Sequence, residues 1–258
     1  MHAILRGIDH TELDQTAVSQ PAVDLVIGLS RGKVSKRYSY TDPNEDVVLV
    51  CRDDQATALV VADGHSGHEA SHCLARALQS VLLPTIPVWD RHQAVRSFHT
   101  LNEQIRHTCR DLPPPHNTSR TTLTVAVVAT DVDGQRYLTH ASIGDSPTVV
   151  IRGGSVHPVS RDRHYFMGQR WSAPQVAGAM DYQKTDLEVD DVVVVLSDGY
   201  TNFADIDDLA AIDRSDPRQM VRRIIEVAGE GGAGDNVAVA VLLPPPTATG
   251  PRTAPEES

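Results

Sequence analysis

Eight short apolar runs rich in β-branched residues constrain this chain more than any other feature. They cover residues 22–30 (AVDLVIGLS), 46–52, 57–63, 121–130, 137–144, 147–153, 191–198 and 236–243. Val, Ile and Thr at that density, in runs bounded by Gly, Asp and Pro, read as strands. DVDG at 131–134 is a hairpin turn signal between two of them, and Gly153–Gly154 marks another turn. Helical spacing appears in two long segments. From about Gly67 to Leu83, Ala70, Leu74, Ala77, Leu78 and Val81 share one face, and from Arg91 to Arg110, Val95, Phe98, Leu101 and Ile105 do. A short helix is expected over 205–211 and a longer one over 217–228, with Pro217 in its first turn.

Strands, two consecutive helices, more strands, further helices and a last strand make an α+β chain, not an alternating doubly wound sheet. Two sheets packed face to face with helices outside would bury these runs. Residues 1–21 are polar and weakly patterned and read as a flexible lead-in. The domain is expected over 22–243, with a surface loop at 112–120 (LPPPHNTSR). Residues 244–258, rich in Pro, Thr and Ala, read as a disordered tail.

Composition narrows the function. A formal charge of −11 over 258 residues argues against a nucleic-acid partner. No apolar run approaches the ~18–20 residues that span a membrane, and no secretory signal opens the chain. Cys51, Cys73 and Cys109 are far apart and form no CxxC pair, so they read as reduced thiols of a cytoplasmic protein. The oligomeric state is not legible.

The acids are placed more tellingly than they are counted. Asp63 ends one strand and precedes Gly64; Asp198 ends another and precedes Gly199. Asp235 precedes the last strand, and Glu45 and Asp46 precede the run from Val47. One aspartate at a strand end is an ordinary turn residue. Acids at four strand ends can be gathered on one rim of a sheet, where they repel unless a cation neutralises them. Hard oxygen ligands suit Mg²⁺ or Mn²⁺, and a carboxylate shared by two ions gives a centre that activates water.

In order along the chain stand PNEDVVLV (43–50), VADGHSGHEAS (61–71), TTLTV (121–125), ASIGDSPTVV (141–150), VLSDGYTNF (195–203) and GAGDNVAVAVL (232–242). Together these resemble the signatures of the metal-dependent serine/threonine phosphatases, the PPM or protein phosphatase type two C family, over residues 22–243. The resemblance implies a four-layer β-sandwich flanked by helix pairs with a binuclear Mn²⁺ or Mg²⁺ centre at one end. It implies that Asp63 bridges the ions and Gly64 offers its carbonyl. Asp198 and Asp235 would bind one ion, Glu45 the other, and Asp46 would hold a water ligand. His65 matches the general acid, and the substrate would be phosphoserine or phosphothreonine in a protein. An isolated reading of His65 is a solvent-exposed histidine at a helix start. Asp145 and Asn236 are expected to order loops.

The pattern departs from the family at three places. Thr41 stands where an arginine usually grips the substrate phosphate. Arg37, with Lys36 beside it, lies a few residues earlier; Arg37 is either the phosphate-binding group or a solvated loop residue. Asn117 stands where an aspartate often serves a third metal ion, which a neutral amide would bind weakly. Residues 160–190 do not follow the common flap pattern. Two alternatives therefore accompany the phosphoprotein phosphatase: a pseudophosphatase or regulatory binding module with little turnover, and a phosphatase for a small phosphorylated metabolite.

Overall fold

The computed structural model describes residues 1–42, 44–81, 89–161 and 163–245. Two six-stranded antiparallel sheets dominate it. In spatial order the first holds β1 (His2–Arg6), β4 (Val47–Arg52), β5 (Ala56–Ala62), β8 (Leu123–Thr130), β9 (Arg136–Ile143) and β12 (Asp181–Asp186). The second holds β11 (Ser155–Pro158), β10 (Thr148–Arg152), β13 (Val192–Leu196), β14 (Val237–Leu242), β3 (Leu25–Ser30) and β2 (Thr16–Ala22). A two-residue pair, β6 (Gly64–His65) and β7 (Arg120–Thr121), sits apart from both.

Both faces of the central strands are buried, which is why their sequences are apolar almost without interruption. Along β14, Val237, Val239 and Val241 join one cluster while Ala238, Ala240 and Leu242 join another. The second cluster, with Leu59 and Val61 of β5 and Val193 and Val195 of β13, is the seam between the sheets. The outer face of the first sheet packs on α1 (Glu69–Val81), α2 (Arg91–Arg110) and α3 (Ala173–Ala179) through Leu74, Phe98, Leu101, Ile105 and Val176. The outer face of the second packs on α4 (Asp198–Thr201) and α5 (Pro217–Glu230) through Tyr200, Met220, Val221 and Ile224. Helix, sheet, sheet, helix is the four-layer order the sequence implies. Asp90 and Asp216 cap α2 and α5 by accepting main-chain N–H bonds.

The lead-in expected over residues 1–21 is instead built into the sandwich. Strand β1 pairs with β4 and β2 pairs with β3, each an edge strand. Neither strand is fully buried at any position, so neither carries a long apolar run; β2 also carries an irregularity between Ser19 and Ala22, at Pro21. The short helix expected over 205–211 is a 3-10 helix, Ile206–Ala211. Residues 160–190 contain α3 and the polar edge strand β12. The tail expected from 244 lies outside the described residues from 246 onward. Among the described residues no helix is long and apolar enough to cross a membrane.

Candidate metal centre

The topology carries the strand-end acids to one rim. Glu45 and Asp46 enter β4, Asp63 follows β5, and these two strands are neighbours. Asp198 follows β13, Asp235 leads into β14, and these are neighbours in the facing sheet. The rim therefore straddles the seam, with acids from both sheets.

Local hydrogen bonds fix each acid. The Asp63 carbonyl accepts from the Thr122 N–H and the Thr121 hydroxyl, both at 2.9 Å, while its N–H donates to the Thr122 hydroxyl at 3.0 Å. Thr122 in turn bonds the Ser146 hydroxyl at 2.9 Å. The TTLTV and GDS segments thus act as a brace beneath Asp63. Glu45 accepts from the Gly67 N–H, and its N–H donates to Asn236 Oδ1 at 2.9 Å. Asn236 Nδ2 donates to the Arg31 carbonyl at 3.0 Å, so Asn236 orders three segments at once. Asn202 Nδ2 donates to Asp198 Oδ2 at 2.9 Å.

Two glycines permit the close approach. A Cβ on Gly64 would lie 2.4 Å from the Glu45 carbonyl oxygen, and one on Gly199 would lie 1.8 Å from the Asn236 carbonyl oxygen. Only a bare backbone lets these acid-bearing segments meet.

The electrostatics are those of a site short of positive charge. Burial pushes the Asp46 carboxyl up to about 8; Lys36 and the Ser197 hydroxyl oppose the rise, and Asp235 and Asp198 add to it. Burial also raises Asp63 well above the usual carboxylate range, helped by the charges of Asp46 and Asp198 and by a hydrogen bond shared with Asp198. Burial raises Glu45, with Lys36 and the Gly67 N–H working against it. Asp46 Oδ2 is buried without a hydrogen-bond partner. An orphaned carboxylate oxygen beside mutually repelling acids fits divalent cations: each would neutralise two charges and take up free oxygen lone pairs.

His65 is exposed beside Asp63, its ring stacked on Phe166 at 4.8 Å, and pairs across the short β-bridge with Arg120. Arg37 is exposed, its guanidinium over the Tyr38 ring at 5.4 Å. The cation brought to the carboxylates is its neighbour Lys36, which reaches Glu45 Oε2 at 2.7 Å and Asp235 Oδ1 at 2.8 Å. Asn117 lines a cleft with Arg106, Arg110, Arg120 and Arg170. That surrounding is cationic. A separate cleft opens beside Asp198 and is lined by Asp145, Ser160, Arg161, His164 and Asn202. Arg161 and His164 belong to the 160–190 segment; the capping of α3 and the pairing of β12 with β9 bring that segment here.

This constellation of fold and rim is that of a metal-dependent phosphatase. The profile of one family, Protein phosphatase 2C, matches residues 35–238 of the 258. The chain belongs to this family and is a metal-dependent protein phosphatase. No curated protein sequence matches it. Among solved structures it is similar to the serine/threonine phosphatase of S. agalactiae, at 20% identity and a TM-score of 0.68, covering 90% of this chain and 100% of that one. It is also similar to the PPM Ser-Thr phosphatase MsPP of Mycobacterium smegmatis in complex with cacodylate (22% identity, TM-score 0.62, covering 90% and 99%). A third is the catalytic domain of the serine threonine protein phosphatase PstP in complex with two manganese ions (18% identity, TM-score 0.64, covering 90% and 100%). At these identities the likeness is one of fold.

Proposed function

We propose that the rim of Glu45, Asp46, Asp63, Asp198 and Asp235 is the active centre for hydrolysis of phosphoserine and phosphothreonine in proteins. The observation that carries this reading is the gathering of acids from four strand ends, with Asp46 Oδ2 buried and unpartnered. Asp63 and the Gly64 carbonyl would hold two ions between them, Asp198 and Asp235 one of the pair, and Glu45 the other; PstP with two manganese ions supports the number and kind. Two Mn²⁺ or Mg²⁺ ions so held supply Lewis-acid charge for the phosphoryl oxygens and acidify water.

The protein's own groups do the rest. Asp46 Oδ2, free of other partners, accepts a hydrogen bond from the attacking water and orients it. His65, exposed beside Asp63 and steadied by Phe166, gives a proton to the departing serine or threonine oxygen. The cleft beside Asp198 receives the chain flanking the phosphorylated residue, where Arg161 favours an acidic neighbour. Three buried, unpaired thiols suit a reducing compartment such as the cytoplasm.

The test is hydrolysis of p-nitrophenyl phosphate and a phosphothreonine peptide with Mn²⁺, Mg²⁺ or EDTA. Activity is expected with either ion and not with chelator. Asp63→Asn, Asp198→Asn and Asp235→Asn should each lose of order a hundredfold or more. Full activity in EDTA, or in Asp63→Asn, would overturn the assignment.

A further inference from the structure

Lys36 is the one lysine directed into the rim. Its ammonium has three N–H donors, and all three have acceptors: Glu45 Oε2 at 2.7 Å, Asp235 Oδ1 at 2.8 Å and Asn236 Oδ1 at 2.8 Å. Glu45 belongs to the first sheet's edge of the rim and Asp235 to the second's, so the ammonium bridges the seam. Its side chain is only 15% exposed, whereas its neighbours Ser35 and Arg37 are exposed.

We propose that Lys36 is a tethered cation that holds the carboxylate rim together and withdraws when Glu45 and Asp235 each take up a divalent ion. The inference rests on the rim being a metal centre and adds how that centre is gated. An ammonium and a divalent ion compete for these oxygens, because each ammonium hydrogen takes up a lone pair and the two positive charges repel. Without metal, the lysine spares the sandwich part of the repulsion among its acids. With metal, that stabilisation is given up, and apparent metal affinity falls accordingly.

The loop is built for such a swing. Its base is pinned: Arg31 pairs with Asp42 through Nε at 3.0 Å and Nη2 at 2.5 Å, and the Arg31 carbonyl is held by Asn236. Its outer part, residues 33–39, is exposed except for Lys36. Withdrawing Lys36 therefore breaks three polar contacts and disturbs no apolar core. The flexible four-carbon stem can deliver the charge to solvent while the loop base stays in place.

The sequence contains three lysines, which makes a direct test possible in the unaltered protein. Lysine acetylation by an amine-reactive ester is followed by mass spectrometry in EDTA and in saturating Mn²⁺. Lys36 should react slowly in EDTA and severalfold faster with Mn²⁺. Lys33, 44% exposed, and Lys184, exposed over the Tyr137 ring, should react alike in both. Lys36→Gln provides the second arm. It should melt at a lower temperature in EDTA, yet bind Mn²⁺ about tenfold more tightly by titration calorimetry, because charge-assisted bonds no longer oppose the ion. Lys36 still shielded with Mn²⁺ bound, or Lys36→Gln binding Mn²⁺ no more tightly, would overturn the gate while leaving the metal centre intact. Absence of Mn²⁺ binding in every form would instead overturn the metal centre, and the gate with it.

Discussion

Gly199→Ala adds one methyl group where the segment carrying Asp198 meets the chain entering β14. The new Cβ would lie 1.8 Å from the Asn236 carbonyl oxygen and 2.8 Å from its carbon. Carbon and oxygen tolerate roughly 3.3 Å, so the two backbones must part by about 1.5 Å. They are pinned by the Ser197 N–H on the Ala238 carbonyl and the Ala238 N–H on the Ser197 hydroxyl, both at 2.9 Å. Stretching two such bonds costs about 1 kcal/mol each, and overpacking a filled site adds ~1–3 kcal/mol. The sum is roughly 3–5 kcal/mol of stability. The same displacement moves Asp198 against Asp235, and an ångström of misplacement at a reacting centre costs on the order of a hundredfold in rate. Urea unfolding in EDTA should show the first loss, and Mn²⁺ titration with peptide hydrolysis the second. A variant within about 0.5 kcal/mol of wild type and fully active would refute the view that backbone contact between these segments sets the carboxylate spacing.

His65→Ala should slow a phosphothreonine peptide far more than p-nitrophenyl phosphate, since nitrophenolate leaves without a proton; equal losses on both would remove His65 from the acid role. His140, wholly buried with Nδ1 on Thr148 and Nε2 on Ser142, has its pKa lowered to about 4 by burial, with Asp181 opposing. A depressed folded pKa stabilises above the unfolded value of ~6.5 and loses that contribution as pH falls toward 4, by at most about 3 kcal/mol. His140→Gln should therefore flatten the pH dependence of urea stability between 6.5 and 4, and an unchanged slope would contradict this. Asn117→Asp should leave Mn²⁺ dependence flat, because the new carboxylate would pair with Arg120 in the arginine-lined cleft; extra bound metal per chain would show a third site there after all.

What the sequence made legible follows the physics of burial. Central strands such as β13 and β14 are apolar on both faces, and the Asp-Gly steps at Asp63 and Asp198 mark their ends, so the sheets and rim acids stood out together. The edge strands β1 and β2 did not, because a half-exposed strand has no reason to look apolar. Helix α3 left a usable trace in Ser172-Ala-Pro-Gln175, where the Gln175 side chain accepts from the Ser172 N–H at 2.9 Å, a capping box. Lys36 was out of reach. Which of two adjacent cations turns inward depends on the course of the loop from Arg31 to Asp42, and no periodicity encodes that course.

The seam between the sheets has a consequence for how the rim can be altered. Asp63 rides on one sheet and Asp198 and Asp235 on the other, so their separation is the sandwich's own thickness read out at its edge. That thickness is set in the interior, where Ala238 and Ala240 of β14 face Leu59 and Val61 of β5. Side-chain volume at these buried alanines works like a shim under one jaw of a calliper. Enlarging it would widen the jaws, and the proposed centre would then suit a different ionic radius with its carboxylates unchanged. Choice among divalent ions at the proposed centre would in this sense be adjustable from the middle of the protein.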